Sequence, residues 1–250
     1  MLDALGAALA LPALPWLGAA AFIAGAVYGF AGFGAALFFM PLAARLTDPL
    51  TAVAAFSLTA LGSAFTVLPG AWAVCDRRAS LWILAAAFLF LPLGILVLRF
   101  GDPVALRWAV SAIVLGTLGL MITGWRYRFT PGPGSWSFVG ALMGFFGGST
   151  GINGPPVILF NLAGKAKTAV IRANTIVPLT VSSFATLPLL ILQGAAPARA
   201  VAAGALLLPV YAFGSWVGRR YFDPERASLY RSTAYVIIAA SALSSLPLWG

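Results

Sequence analysis

The sequence predicts an all-α integral membrane protein of about eight apolar segments in two homologous halves, with broken or re-entrant Gly-rich segments at the first and fifth places. Three observations carry this expectation. Of 250 residues, 61% are hydrophobic and 8% charged, with a mean hydropathy of +0.98, whereas a soluble domain carries about 25% charged residues. The apolar runs are long and do not alternate, which suits spanning helices and not the strands of an outer-membrane barrel. Two of the runs are interrupted by Gly and Pro, in related patterns.

Charged residues divide the chain into runs of roughly Trp16 to Ala44, Leu50 to Pro69, Leu81 to Leu98, Trp108 to Trp125, Trp136 to Leu162, Ala173 to Gln193, Ala200 to Gly218 and Ser232 to Trp249. Most have the roughly 18 to 25 residues that cross about 30 Å of hydrocarbon. The first and fifth are longer, and a straight helix of about 28 residues would measure about 42 Å. Each is therefore either one broken, tilted crossing or a re-entrant hairpin.

The interruption in the fifth run is Phe145-Phe146-Gly147-Gly148-Ser149-Thr150-Gly151-Ile152-Asn153-Gly154-Pro155-Pro156. A continuous helix disfavours this composition, at about 1 kcal/mol per Gly and about 3 per interior Pro. Lipid cannot satisfy the freed backbone groups, so the break must be covered by protein or line a wet cavity. A milder copy is Gly29-Phe30-Ala31-Gly32-Phe33-Gly34, followed by Pro41. Gly29 and Gly144, Gly32 and Gly147, and Pro41 and Pro156 share a spacing of 115 residues. Arg99-Phe100-Gly101-Asp102-Pro103 is echoed by Arg220-Tyr221-Phe222-Asp223-Pro224 at a spacing of 121. These matches predict a tandem duplication: residues 1–126 as the first repeat, 127–134 as a linker rich in turn formers, and 135–250 as the second repeat. Gly25 and Gly140 read as small-residue helix contacts. Phe30, Phe33, Phe145 and Phe146 read as packing around the breaks, with a water-excluding gate as the other reading. Asp48-Pro49, Asp102-Pro103 and Asp223-Pro224 read as helix starts, where Asp caps free amides and Pro fits the first turn.

Net charge is +9 and the isoelectric point near 10.6. The basic residues sit between apolar runs, so they speak for topology and anionic headgroups rather than nucleic acid. With eight crossings, Lys and Arg divide ten to five between the faces; with two re-entrant hairpins they divide eleven to four. Both counts place the termini outside the cytoplasm of a bacterial inner membrane. The re-entrant arrangement inverts the two halves; the other keeps them parallel.

The chemistry open to this chain is narrow. It has no His and one cysteine, Cys75, so His-based metal sites and proton switches are excluded and no cofactor is expected. Its six acidic residues all fall in expected loops or at the terminus. That weakens proton or sodium coupling through a membrane carboxylate, although coupling by either ion stays open. It also argues against an enzyme, which needs an acid and a base together. The polar groups left within the apolar runs are neutral, and helix N-termini at the breaks would suit a small anion. The candidate substrate-binding residues are Gly32, Gly34, Ser149, Thr150, Asn153, Gly154, Arg172 and Asn174. Arg172 reads either as an anchor that snorkels to headgroups or as a guanidinium at a cavity mouth that pairs with an oxyanion.

The order and duplication of these motifs resemble the sulfite exporter TauE/SafE family, also called the 4-toluene sulfonate uptake permeases. In that family each half opens on a Gly-rich segment followed by an apolar stretch and Pro. Gly144 to Pro156 is similar to its G-G-P-P-type box, with Asn153 at one usual glycine; in the first copy, Ala35 and Ala36 stand where glycines are usual. Arg172 matches a basic position that opens the next helix. The resemblance implies a secondary transporter of small sulfur-containing anions such as sulfite, sulfoacetate or other organosulfonates, working by alternating access with a midplane site between the two broken segments. An anion channel without ion coupling is the alternative. The expected partners are a small anionic substrate and membrane lipids; oligomeric state is not read from the sequence.

Overall fold

The computed structural model describes residues 2–123, 130–164, 166–221, 235–236 and 238–243, and among these every regular element is helical. In chain order the helices are α1 (Leu2–Leu9), α2 (Leu14–Ala31), α3 (Ala35–Leu46), α4 (Pro49–Thr59), α5 (Gly62–Thr66), α6 (Leu68–Trp72), α7 (Arg77–Phe100), α8 (Pro103–Thr123), α9 (Pro133–Thr150), α10 (Gly154–Leu162), α11 (Thr168–Leu192) and α12 (Ala198–Arg220). Residues 235–236 and 238–243 are also helical. Among the described residues, six stretches are long and apolar enough to cross a membrane: α2, α4 with α5, α7, α8, α11 and α12. The chain is thus an all-helical, multi-pass membrane protein. The fifth apolar run yields α9, which is 18 residues long but carries five glycines that dilute its hydropathy. The run from Ser232 to Trp249 lies largely outside the described residues, as do residues 127–129 of the 127–134 linker and Asp223-Pro224.

Local chemistry sets the helix starts. Asp48 accepts the Thr51 amide at 2.8 Å, Asp76 the Ala79 amide at 3.0 Å and Asp102 the Ala105 amide at 2.8 Å. Each carboxylate satisfies a first-turn donor that has no helical acceptor. The second apolar run is less regular than expected. It divides into α4, α5 and α6, with Gly62 opening α5 and Pro69 in the first turn of α6.

Hydrogen bonds sort the helix ends onto two faces. At one face the Asp76 amide donates to Asn174 Oδ1 at 2.7 Å, Arg219 donates to the Thr66 carbonyl, and Arg172 donates to the Gly29 carbonyl at 2.6 Å. At the other face Arg199 pairs with Asp48 at 3.2 Å, Arg107 donates to the Thr47 carbonyl at 3.2 Å, and Arg99 donates to the Gln193 carbonyl. Hence α2 runs toward the Arg172 face and α3 turns back to the Arg199 face.

The second hairpin runs the opposite way. Its direction follows from glycine contacts: a Cβ on Gly140, Gly144 or Gly148 of α9 would lie 2.1, 2.1 or 2.4 Å from the carbonyls of Ile83, Ala87 or Leu91 of α7. The contacts advance together, so α9 is parallel to α7 and runs toward the Arg199 face before α10 turns back. The same device joins α2 to α12. Gly25 and Gly29 lie against Tyr211 and Ser215, and Gly214 and Gly218 against Phe22 and Ala26. Only glycine lets backbones approach this closely. Each hairpin therefore packs on a long helix drawn from the other half of the chain.

Helix ends in the two hairpins correspond at a spacing of 119 residues: Ala31 with Thr150, Gly32 with Gly151, and Ala35 with Gly154. This is one helical turn away from the 115-residue spacing of Gly29 with Gly144. Glycines that repeat every four residues match almost equally well after a four-residue slip; only the turn geometry separates the two registers.

Candidate functional site

Both hairpin turns are built on left-handed glycine. Gly32 has φ 80° and its amide donates to the Tyr28 carbonyl, ending α2. Gly151 has φ 73° and donates to the Gly147 carbonyl, ending α9. This is the usual glycine end to a helix. Gly34, with φ 93°, then starts α3. The helices that follow are short. α3 spans about 18 Å and α10 about 14 Å at 1.5 Å per residue, so both restarts lie well inside the bundle.

The two restarts line one cavity of about 50 Å³, room for about three to five waters. Gly34, Ala35, Ala36 and Leu37 come from one hairpin, and Gly147, Gly151, Asn153, Gly154 and Ile158 from the other. α4 and α5 supply Phe56, Ser57 and Ser63; α11 supplies Thr180, Ser183 and Thr186; Tyr28 and Tyr211 close the ring from α2 and α12. None of the described lining residues is charged.

The donors on this wall are unequal. The first helical bond of α3 is from the Phe38 amide to the Gly34 carbonyl at 3.0 Å. The amides of Ala35, Ala36 and Leu37 precede it and have no helical acceptor. α10 contributes fewer donors, because Pro155 and Pro156 follow Gly154 and carry no N–H. It brings its positive helix end with little hydrogen-bonding capacity. Asn153 Nδ2 donates to Ser182 Oγ at 2.9 Å, which fixes the amide against α11.

Most cavity hydroxyls donate to their own helices. Ser57 donates to the Ala54 carbonyl, Ser63 to Ala60, Ser183 to Leu179 and Thr186 to Ser182. Tyr28 and Thr180 share a hydrogen bond at 2.9 Å, and Ser63 lies 3.3 Å from Thr180. Beyond this network, toward the Arg172 face, lies a vestibule of about 380 Å³ lined by Val67, Thr168, Arg172, Ile176 and Arg219 among others.

Of the residues expected from sequence, Gly34, Asn153 and Gly154 meet at the cavity. Gly32 does not line it; a Cβ there would meet Arg172 Cγ at 2.7 Å. Ser149 and Thr150 donate to the Phe145 and Phe146 carbonyls at 2.8 Å and finish α9. Arg172 lines the vestibule, and Asn174 lies at the Arg172 face, bonded to the Asp76 amide. Phe30, Phe33, Phe145 and Phe146 are not among the residues lining the cavity. Sequence reasoning missed Tyr28, Thr180 and Tyr211. A tyrosine in an apolar helix carries no signal of which way it faces.

The family model described as "Sulfite exporter TauE/SafE" matches residues 17–245. The chain is 30% identical over 246 residues to the "Probable sulfite/organosulfonate exporter TauE" of Cupriavidus necator, with 94% of this chain and 95% of that protein covered. No solved structure matches the chain.

Proposed function

The chain belongs to the sulfite exporter TauE/SafE family, and from that membership and the central cavity we propose that it is a secondary transporter, not an enzyme, that exports small sulfur-containing anions such as sulfite or organosulfonates. One observation carries the reading: two helix restarts from opposite halves of the chain line the same uncharged cavity. Helix N-termini carry roughly half a positive charge each and favour anions. The substrate sits between Gly34 and Gly154, and the two hairpins are re-entrant and inverted. Support for inversion comes from the opposite directions of α2 and α9, and from the grouping of Arg77 with Arg172 and Arg219 against Arg99, Arg107 and Arg199.

The Arg172 face is cytoplasmic in this reading, because among the described residues it gathers Arg77, Arg78, Lys167, Arg172, Arg219 and Arg220, against Arg45, Arg99, Arg107 and Arg199 on the other, and the membrane is the bacterial inner membrane. Its vestibule concentrates anions by the field of Arg172 and Arg219. Release follows rocking of one half against the other. The Tyr28–Thr180–Ser63 network separates vestibule from cavity, which favours a carrier over a channel.

The test is counterflow of labelled sulfite in proteoliposomes. Saturable, slow exchange is expected, and Gly154→Leu or Asn153→Leu should abolish it while folded protein remains in the membrane. Single-channel currents would establish a pore instead. Unimpaired exchange in both variants would move the site elsewhere.

A further inference from the structure

The central cavity has a second property, set by its charge and by one side chain. Tyr211 is 1% exposed and lines the cavity, and among the described residues its hydroxyl makes no hydrogen bond. Its ring is held edge-on to Phe56, with centroids 6.2 Å apart, and tilted against Tyr28 at 6.4 Å. A buried phenol normally finds a partner, so this one points to a ligand. Ser57, Ser63, Ser183 and Thr186 already donate to helix carbonyls, so toward a ligand their hydroxyls can only accept. Among the described residues, the protons left for a ligand are those of the α3 amides, the Gly154 amide, the second Asn153 Nδ2 hydrogen and Tyr211.

We propose that the cavity binds a singly charged oxyanion, with Tyr211 as a hydrogen-bond donor to it, and rejects doubly charged ones. This rests on the transport reading above. Two helix N-termini of about +0.5 each sum to about one positive charge, which balances a monoanion. Among the described residues no lysine or arginine lines the cavity to balance a second charge, and the hydroxyl lone pairs oppose it. An uncompensated charge in a water-poor site is strongly disfavoured. Sulfite would therefore cross as hydrogensulfite, and a sulfonate as its permanent monoanion. Among the described residues, the ionisable side chains on the cavity wall are Tyr28 and Tyr211, phenols that stay neutral near neutral pH. The basic residues of the adjoining vestibule are Arg172 and Arg219.

The experiment is counterflow in proteoliposomes containing the full chain, from about pH 6 to pH 8, with methanesulfonate, sulfite and sulfate as substrates. Methanesulfonate is singly charged throughout and sulfate doubly charged. Sulfite passes from one to two charges across this range. Methanesulfonate exchange should be flat with pH, sulfite exchange should fall in step with the hydrogensulfite fraction, and sulfate should match empty liposomes. Tyr211→Phe should weaken methanesulfonate binding by about ten- to a hundredfold, as for a lost hydrogen bond to a charged group, with its melting temperature retained. Flat sulfite exchange, or sulfate moving as well as methanesulfonate, overturns the charge selection and leaves the transport reading standing. Unchanged binding in a folded Tyr211→Phe protein overturns the tyrosine's part. Failure of all three anions to exchange removes the transport reading itself, and this inference with it.

Discussion

The hydroxyls of Tyr28 and Thr180 lie 2.9 Å apart and join α2 to α11 where the central cavity faces the arginine vestibule. Tyr28 also donates to the Ile176 carbonyl at 3.4 Å, and Ile176 lines the vestibule. One phenol thus touches the boundary of both spaces. Tyr28→Phe should loosen that boundary. A buried hydrogen bond is worth about 1 kcal/mol net, so an open–closed equilibrium should shift about fivefold. The measure is a Ser183→Cys reporter in a Cys75→Ser background, labelled by an impermeant thiol reagent from the Arg172 face. Faster labelling with Tyr28→Phe is expected; equal rates would show that the hydrogen bond is no barrier.

Gly144 tests the contact between halves. A Cβ at this position would lie 2.1 Å from the Ala87 carbonyl oxygen, on backbone that cannot swing away. Gly144→Ala should separate α9 from α7 and cost about 1 to 3 kcal/mol, as overpacking does, despite alanine's better helix propensity. Gly116→Ala, with open space around it, is the control and should raise the melting temperature or leave it alone. A stable Gly144→Ala protein would contradict the packing described.

Asp48 gives a pH dependence outside the membrane spans. Burial pushes its carboxyl pKa up, but the Thr51 hydroxyl at 2.6 Å, the Thr51 amide and the Arg199 guanidinium together bring it below the ordinary carboxylate value. A depressed folded pKa contributes stability that is present above the unfolded value of about 3.9 and is lost as pH falls through the folded value. Asp48→Asn keeps a cap acceptor and removes the charge. The variant should be less stable than the parent near neutrality, and the gap in melting temperature should close on acidification below about pH 4. A gap that widens in acid would reverse the sign of this argument.

Arg172 has two tasks that substitutions can separate. It ties the end of α2 through the Gly29 carbonyl and supplies charge to the vestibule. Arg172→Lys keeps the charge but not the planar fork; Arg172→Ala loses both. Initial uptake from the Arg172 face should keep its ionic-strength dependence in the lysine variant and lose most of it in the alanine variant. Identical binding and rates in all three forms would reduce Arg172 to a structural anchor.

The sequence by itself determined the membrane class, two Gly- and Pro-rich interruptions and apolar runs without carboxylates, because composition, helix propensity and the cost of burying charge are local properties. Gly34, Asn153 and Gly154 stand out in the sequence for that reason: Gly, Asn and Pro together disfavour a continuous helix in an apolar run. Tertiary structure alone decided what the breaks face. The direction of α9 against α2 depends on which carbonyls the glycines meet, and four-residue spacing leaves that register ambiguous. Ser149 and Thr150 look like ligands in a list of polar residues, yet their hydroxyls finish a helix. Tyr28 and Tyr211 look like membrane aromatics, yet both turn inward, because glycines on α2 and α12 bring those helices close enough to bury the rings. Packing across halves chose the cavity wall, and no window of sequence contains both sides of that contact.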